Sequence, residues 1–442
     1  MLPAGLYAPW SVPLLRVPIV DARPGMVLGL DIPHPSLAGG VLLRRNAELD
    51  DRCIARLAEM GVREICIRYP GLEHLAKFHD PRVMSTHRKL VTELAGVLDA
   101  GMVQQHVELD YWTYKRAVAD VLEALMANPA AAALTSDLAS GDTPNVRHHG
   151  GVCMLSLLMA LKLDYYLIRE RPRMPAAAAK NLAALGVGAM LHDIGMARIA
   201  PDALRRWNLS PDESDPAWQE HVQLGHDVVS GQIDPAAAGI VLHHHQHWDG
   251  TGFPARKELS GESHRLRGSE IHVFARIVAA AETLQRLRYP AHAPGADDRL
   301  RPPRPTVAAM HGLLRTPLSS RIDPLVLKAL VTVVPPFAPG TIVTITGGRT
   351  AAVVEWSPLD PCRPVVEVLP TGIIPPNRTG REPQRERIDL RVSEDVQVCE
   401  AEGHDTTPWL FQPRTPQEFD LPLATRTMDN RALGDLSERP AA

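Results

Sequence analysis

The 442-residue chain has no paired-cysteine pattern, no marked excess of charge of either sign and no internal repeat. Its five cysteines, Cys53, Cys66, Cys153, Cys362 and Cys399, are scattered without CxxC spacing. That excludes a disulfide framework or a thiolate zinc site as the organising theme, and it fits a reducing cytoplasm. With 47 basic and 51 acidic residues the formal charge is -4, so neither a nucleic-acid polymer nor an anionic membrane is the expected partner. Pro3, Pro9 and Pro13 break up the apolar residues at the N-terminus, and no apolar run reaches the length of about 20 needed to span a bilayer. No signal peptide and no membrane segment are expected, and the chain reads as cytoplasmic.

What the chain does have is helical period, proline and histidine. Hydrophobic residues are 45% and charged residues 22%, the balance of a soluble globular protein, with length for two or three domains. The 40 prolines gather at joints (Pro302, Pro303, Pro305; Pro335, Pro336, Pro339; Pro375, Pro376) and mark boundaries. Residues 1–85 read as a small α+β domain with a regulatory or docking role. Strands are expected at Met26–Ile32, Gly40–Arg44 and Val62–Arg68, and a helix capped by Asp50 at Asp51–Met60.

From 86 to 334 the period is helical. Asp110 caps a helix whose apolar face carries Tyr114, Val118, Val121 and Leu125, and His148, Val152, Leu155 and Met159 share the next face. Ser210 with Glu213 reads as a capping box, Asp215 before Pro216 as a helix start, and another helix is expected to begin near 239. From 335 to 400 the period is two, with strands at Thr341–Thr346, Ala351–Trp356, Val365–Leu369 and Ile388–Cys399 and a hairpin turn at Gly347 and Gly348. Residues 401–442 are polar and aperiodic and read as a disordered tail. The expected fold class is mainly α: a helical bundle preceded by a small α+β domain and followed by a small β meander or barrel.

The organising stretch is Ala189–Ile199, AMLHDIGMARI. Leu182, Leu185, Ala189 and His192 are spaced by three, four and three, so an apolar helix face ends in an imidazole with a carboxylate, Asp193, beside it. Gly195 is the expected end of that helix. His148, His221, His244 and His245 lie before and after it, each in a helical segment, and Glu282 is a carboxylate on the otherwise apolar stripe Ile271, Ala275, Val278. Imidazole and carboxylate ligands together suit Fe, Mn or Zn, and one aspartate can bridge two such ions.

The segment His244–Pro254 reads HHQHWDGTGFP. With HDIGMARI upstream and ARIVAAAETLQRL downstream, in that order and spacing, it resembles the HD-GYP family of HD phosphohydrolases over residues 140–330. The resemblance implies an HD-type bundle and the metal ligands His148, His192, Asp193, His221, His244, His245 and Glu282, with Asp193 bridging two divalent ions, Fe or Mn. His192 and Asp193 become the catalytic pair. It also implies a metal-dependent phosphodiesterase opening a cyclic dinucleotide, cyclic di-GMP, through a hydroxide activated by the two ions. Asp249, Gly252 and Phe253 of the signature loop, and Arg286 and Arg288 downstream, fall on the substrate side. The N-terminal unit looks like the small domain often found ahead of such bundles, a place for a signalling protein partner, and a homodimer is compatible with the pattern.

The chain departs from the family pattern at five positions. Met196 stands in place of the usual Lys, Gln246 in place of Glu, Phe253 in place of Tyr and Glu282 in place of Asp. Pro144 stands where some members carry the acid for a third ion, so two ions are expected. Met196 and Gln246 keep open a second class, a sensor or scaffold that binds a cyclic dinucleotide without turnover. A general nucleotide phosphohydrolase is a third.

Overall fold

The computed structural model describes residues 14–34, 40–103, 108–131, 144–257, 261–290, 303–369, 373 and 385–427. Strand β1 (Leu14–Pro18) is absent from the sequence expectations, because its closing proline argues against a strand. It survives as an edge strand, antiparallel to a strand further on, where a proline costs no ladder bond. The strands expected at Met26–Ile32 and Gly40–Arg44 shrink to β2 (Ile32–Pro33) and β3 (Val41–Leu43), paired antiparallel. Met26 and Leu28 are buried, but Val27 and Leu28 make only single bridges. Helix α1 (Asp51–Glu59) starts where Asp50 accepts the Cys53 N–H, and β4 (Glu64–Arg68) returns beside β1 with Ile67 opposite Leu15.

The expected boundary at 85 falls inside helix α2 (Pro81–Val103), which runs unbroken into the bundle. Helix α3 (Tyr111–Ala127) is capped by Asp110 and buries the four predicted apolar positions. Helix α4 (Pro144–Lys162) is apolar on nearly all sides and correspondingly buried, Val152, Met154 and Leu157 having no exposed surface. A short α5 (Asp164–Glu170) precedes α6 (Ala183–Leu191), which packs on α3 and α4. Then come α7 (His221–Val229), α8 (Pro235–His243), α9 (Val273–Arg288) and α10 (Pro324–Val333). Among the described residues no single helix is long and apolar enough to cross a membrane.

Three local expectations need correction. Ser210 follows the helix Pro201–Leu209 and caps no helix start; Asp215 does that, accepting the Ala217 N–H. Helix α8 begins at Pro235 and not near 239, because Asp234 accepts the Ala236 N–H and Pro235 suits the first helical turn. The helix before the HD pair stops at Leu191, not at Gly195, and a tight turn, Ile194–Ala197, follows.

The C-terminal region is a six-stranded antiparallel sheet. Strands β5 (Ile342–Ile345), β6 (Arg349–Glu355) and β7 (Val365–Val368) form a meander, and Gly347 and Gly348, both at positive φ, make the hairpin turn. The single strand expected at Ile388–Cys399 is two strands: β8 (Arg387–Asp389) beside β7 and β9 (Val398–Ala401) beside β5, with β10 (His404–Asp405) outermost. One apolar cluster joins this sheet to the N-terminal unit, Ala352, Val354 and Val365 packing with Leu15, Val17 and Ile67. The segment from 401 to 427 is ordered, contrary to the expected tail. Phe419 and Leu421 are buried in the helical core, and residues 421–427 are helical. Phe411 and Ala424 pack against the same core, and Trp409 and Leu410 against the sheet, so spaced apolar anchors dock an otherwise polar segment. The remainder of that expected tail, 428–442, and Pro302, Pro375 and Pro376 lie outside the described residues.

Candidate metal centre

Helix α6 delivers His192 as its C-cap and Asp193 just after it. The chain must then turn at once, because α7 crosses there: a Cβ on Gly195 would lie 1.9 Å from the His221 carbonyl oxygen and 2.5 Å from the Gly225 nitrogen. Only a glycine lets the two backbones meet, and their meeting brings His221 to Asp193. The His221 Nε2 is 3.2 Å and the His244 Nε2 3.3 Å from Asp193 Oδ1. On the other carboxylate oxygen, Oδ2, His192 Nε2 lies at 3.5 Å and His148 Nε2 at 3.8 Å. His245 Nε2 is 3.6 Å from Glu282 Oε1. All seven sequence-proposed ligands thus converge, in two groups that share Asp193. One is Asp193, His221, His244 and His245; the other is His148, His192, Asp193 and Glu282. Within each, the ligand atoms lie within 4.8 Å of one another. His226, near in sequence, instead sits beside Asp227.

The tautomers are fixed by the backbone. His192 Nδ1 donates to the Ala189 carbonyl at 2.8 Å, His221 Nδ1 to that of Trp218 at 2.7 Å, and His244 Nδ1 to that of Val241 at 3.0 Å. A carbonyl only accepts, so each Nδ1 carries the proton and each Nε2 presents a lone pair inward. The His221 and His244 Nε2 atoms therefore face each other as lone pairs 3.4 Å apart, and His245 Nε2 is buried without a hydrogen bond. Uncompensated lone pairs in a dry site repel, and a cation between them relieves the conflict; the residues fit a metal. Burial is the main reason the His148 imidazole titrates down at about 3, the neighbouring His149 adding to it, and burial also lowers His192, His244 and His245. These imidazoles are neutral at physiological pH, the state that metal binding would require. Burial pushes the Glu282 carboxyl well above its usual range, opposed by Arg286, whose Nη2 lies 2.5 Å from Glu282 Oε1.

The substrate-side expectations divide. Arg286 lies at the centre, 3.8 Å from Asp193 Oδ2, with its guanidinium over the stacked rings of Trp207 and Trp218. Arg288 does not join it: two positions on, it points to the C-terminal sheet, 3.5 Å from Glu402. Asp249 is exposed and binds Thr251 and Ser320, which shapes the loop. Gly252 lets the loop fold back on itself, since a Cβ there would lie 2.4 Å from the His245 carbonyl oxygen. Phe253 stacks on the His245 ring at 4.6 Å, a contact that needs no hydroxyl. Met196 packs in the apolar cluster of Ile199, Trp218 and Phe253, and Gln246 donates to the Pro254 carbonyl at 2.7 Å. Trp248 lies under Arg276 and serves packing.

A solvent-open cleft adjoins the centre. It is lined by His244, His245 and Glu282, and also by Glu213, Arg321 and His247, which sequence reasoning missed as cleft residues. Also missed was His149, which donates from Nδ1 to the Met190 carbonyl and braces the His192 ring at 4.8 Å. Its position beside His148 was the only available signal.

A family model described as an HD domain matches residues 173–301. The chain is similar to a cyclic di-GMP phosphodiesterase of Pseudomonas aeruginosa, PA4108, with 26% identity over 365 residues, covering 77% of this chain and 82% of that protein. It is also similar to the cyclic di-GMP phosphodiesterase response regulator RpfG of Xanthomonas campestris, with 33% identity over 106 residues, 23% of this chain and 25% of that protein. A third relative is the 3'3'-cGAMP-specific phosphodiesterase 2 of Vibrio cholerae, with 28% identity over 100 residues, 22% of this chain and 17% of that protein. Residues 173–301 thus form an HD domain, with the HD pair, ordered histidines and signature loop brought into one site.

Proposed function

We propose that this protein is a cytoplasmic, metal-dependent phosphodiesterase that opens a cyclic dinucleotide, cyclic di-GMP first among them. The observation that carries the reading is the pair of inward lone pairs of His221 and His244, held 3.4 Å apart over Asp193. The similarity to curated cyclic di-GMP phosphodiesterases supports the choice of substrate. The nitrogen and oxygen donors, with no thiolate among them, suit two Fe or Mn ions. When bound, such ions polarise a phosphoryl oxygen and stabilise charge on the departing ribose oxygen. The protein's part is positional: neutral imidazoles locked by backbone carbonyls, a carboxylate shared by both groups, and Arg286 as a cation facing phosphate charge. Protein purified without oxygen and loaded with Mn should linearise cyclic di-GMP, and the His192→Ala, Asp193→Ala double variant should not. Loaded protein that matches the double variant on cyclic di-GMP and its GMP-AMP analogue sinks the proposal.

One observation favours a second reading, a sensor that binds the dinucleotide without turnover: Arg286 already neutralises Glu282 at 2.5 Å. Isothermal titration combined with product analysis separates the two, since a sensor returns its ligand unchanged.

A further inference from the structure

We propose that Arg286 and Arg321, bridged by Glu213, form an anion clamp for the second phosphate of a substrate carrying two phosphodiester groups, and that the Glu213 carboxylate holds that place until the substrate displaces it. The proposal rests on the phosphodiesterase reading of the metal centre and extends it to a part of the cleft the metal ligands do not reach. Arg286 Nη1 lies 3.5 Å from one oxygen of Glu213, and Arg321 Nη1 lies 3.5 Å from the other. Two guanidinium groups from separate elements thus share one carboxylate, as they would share the oxygens of a phosphate. Arg286 Nη1 is buried and makes no hydrogen bond, so its pairing with Glu213 leaves it unsatisfied.

The placement matches a two-phosphate ligand. Arg286 points its other nitrogen, Nη2, at the candidate metal centre, so the clamp adjoins the expected position of the scissile phosphate, and Arg321 reaches the same cleft through the other oxygen of Glu213. Leu287, Leu318 and Ile322 give the same cleft an apolar wall for the face of a base.

Glu213 is suited to leave. Its side chain is 46% exposed, and exposed ion pairs of this kind are weak. The loop around it is held by other groups: Asp212 accepts the Ser214 N–H, Gln219 Nε2 donates to the Glu213 carbonyl at 2.7 Å, and Asp215 caps the following helix. The carboxylate can swing out while the backbone stays.

The test is isothermal titration of the Mn-loaded full-length protein with three probes: a cleavage-resistant phosphorothioate of cyclic di-GMP, GMP and pyrophosphate. Arg321→Ala should weaken the dinucleotide at least tenfold and GMP less than threefold, at unchanged metal stoichiometry. Glu213→Gln should tighten the dinucleotide at least threefold. Equal losses for dinucleotide and GMP on Arg321→Ala, no loss for either, or weaker dinucleotide binding by Glu213→Gln would each overturn the clamp. Pyrophosphate separates this failure from that of the function. Protein that ignores the dinucleotide but binds pyrophosphate in an Arg321-dependent way loses the phosphodiesterase reading and the second-phosphate role and keeps only an anion site between the two arginines, and protein that binds neither loses both.

Discussion

The two ligand groups that share Asp193 are built to different tolerances. On one side His221 and His244 have fully buried side chains, each with Nδ1 tied to a backbone carbonyl, and His245 is stacked under Phe253. On the other, His192 is as buried and as firmly tied to a carbonyl, but the His148 side chain is 19% exposed and the Glu282 carboxyl is already engaged by Arg286. Equal ligand number therefore does not mean equal affinity. A ligand whose ring is oriented in advance gives up less freedom on binding, and one that must first leave an arginine gives up an ion pair. The His221 side should hold its ion more tightly.

The largest effect tests what the two sides share. Asp193→Ala should remove both ions and lower turnover by more than about a thousandfold, because both positions lose their common carboxylate. Metal analysis of the anaerobically purified variant checks it, and either ion surviving at full occupancy would break the bridging argument. A smaller effect ranks the sides. His221→Ala should abolish binding of the ion expected on the His221 side, whereas His148→Ala should weaken only the ion expected on the His148 side, by about 10–100-fold. The reverse order would show that exposure and the Arg286 contact do not set affinity.

The smallest effect concerns stability behind the His148 side. His87 on α2 is buried near Gly150, and burial is the main reason its imidazole titrates down at about 4 against an ordinary value of 6.5. Below 6.5 the unfolded chain takes a proton that the folded chain refuses. The stabilisation is thus complete above that pH, declines as pH falls and levels off below about 4. The total loss is about 3 kcal/mol, and His87→Leu should remove that part of the acid slope in urea melts at several pH values. An unchanged slope would mean that His87 is not protected from protonation.

Much of the bundle was legible because helix signals are local. Asp110, Asp215 and Pro216 mark helix starts where the structure has them. The sheet was less legible: β8 and β9 lie on opposite sides of the meander, and a period of two says nothing about partners. The tail was misjudged because a few spaced apolar residues, Phe419 and Leu421 buried and Trp409, Leu410 and Phe411 packed on the cores, outweigh a polar composition. Arg288 was misplaced for a geometric reason: residues two apart on a helix point to different sides, and the apolar stripe alone could not say which arginine faced the metal.

The sequence by itself set out the candidate imidazoles and carboxylates at the ends of apolar helix faces, and their order and spacing carried the resemblance to a family. Only the tertiary structure decided which of these side chains meet, in two groups that share Asp193. That follows from the crossing of two backbones at Gly195 and Gly225 and from carbonyls that choose each tautomer, neither of which is written in any local pattern. The role of Glu213 belongs to the same class: its arginine partners are 73 and 108 positions away, so only folding could bring one carboxylate between them.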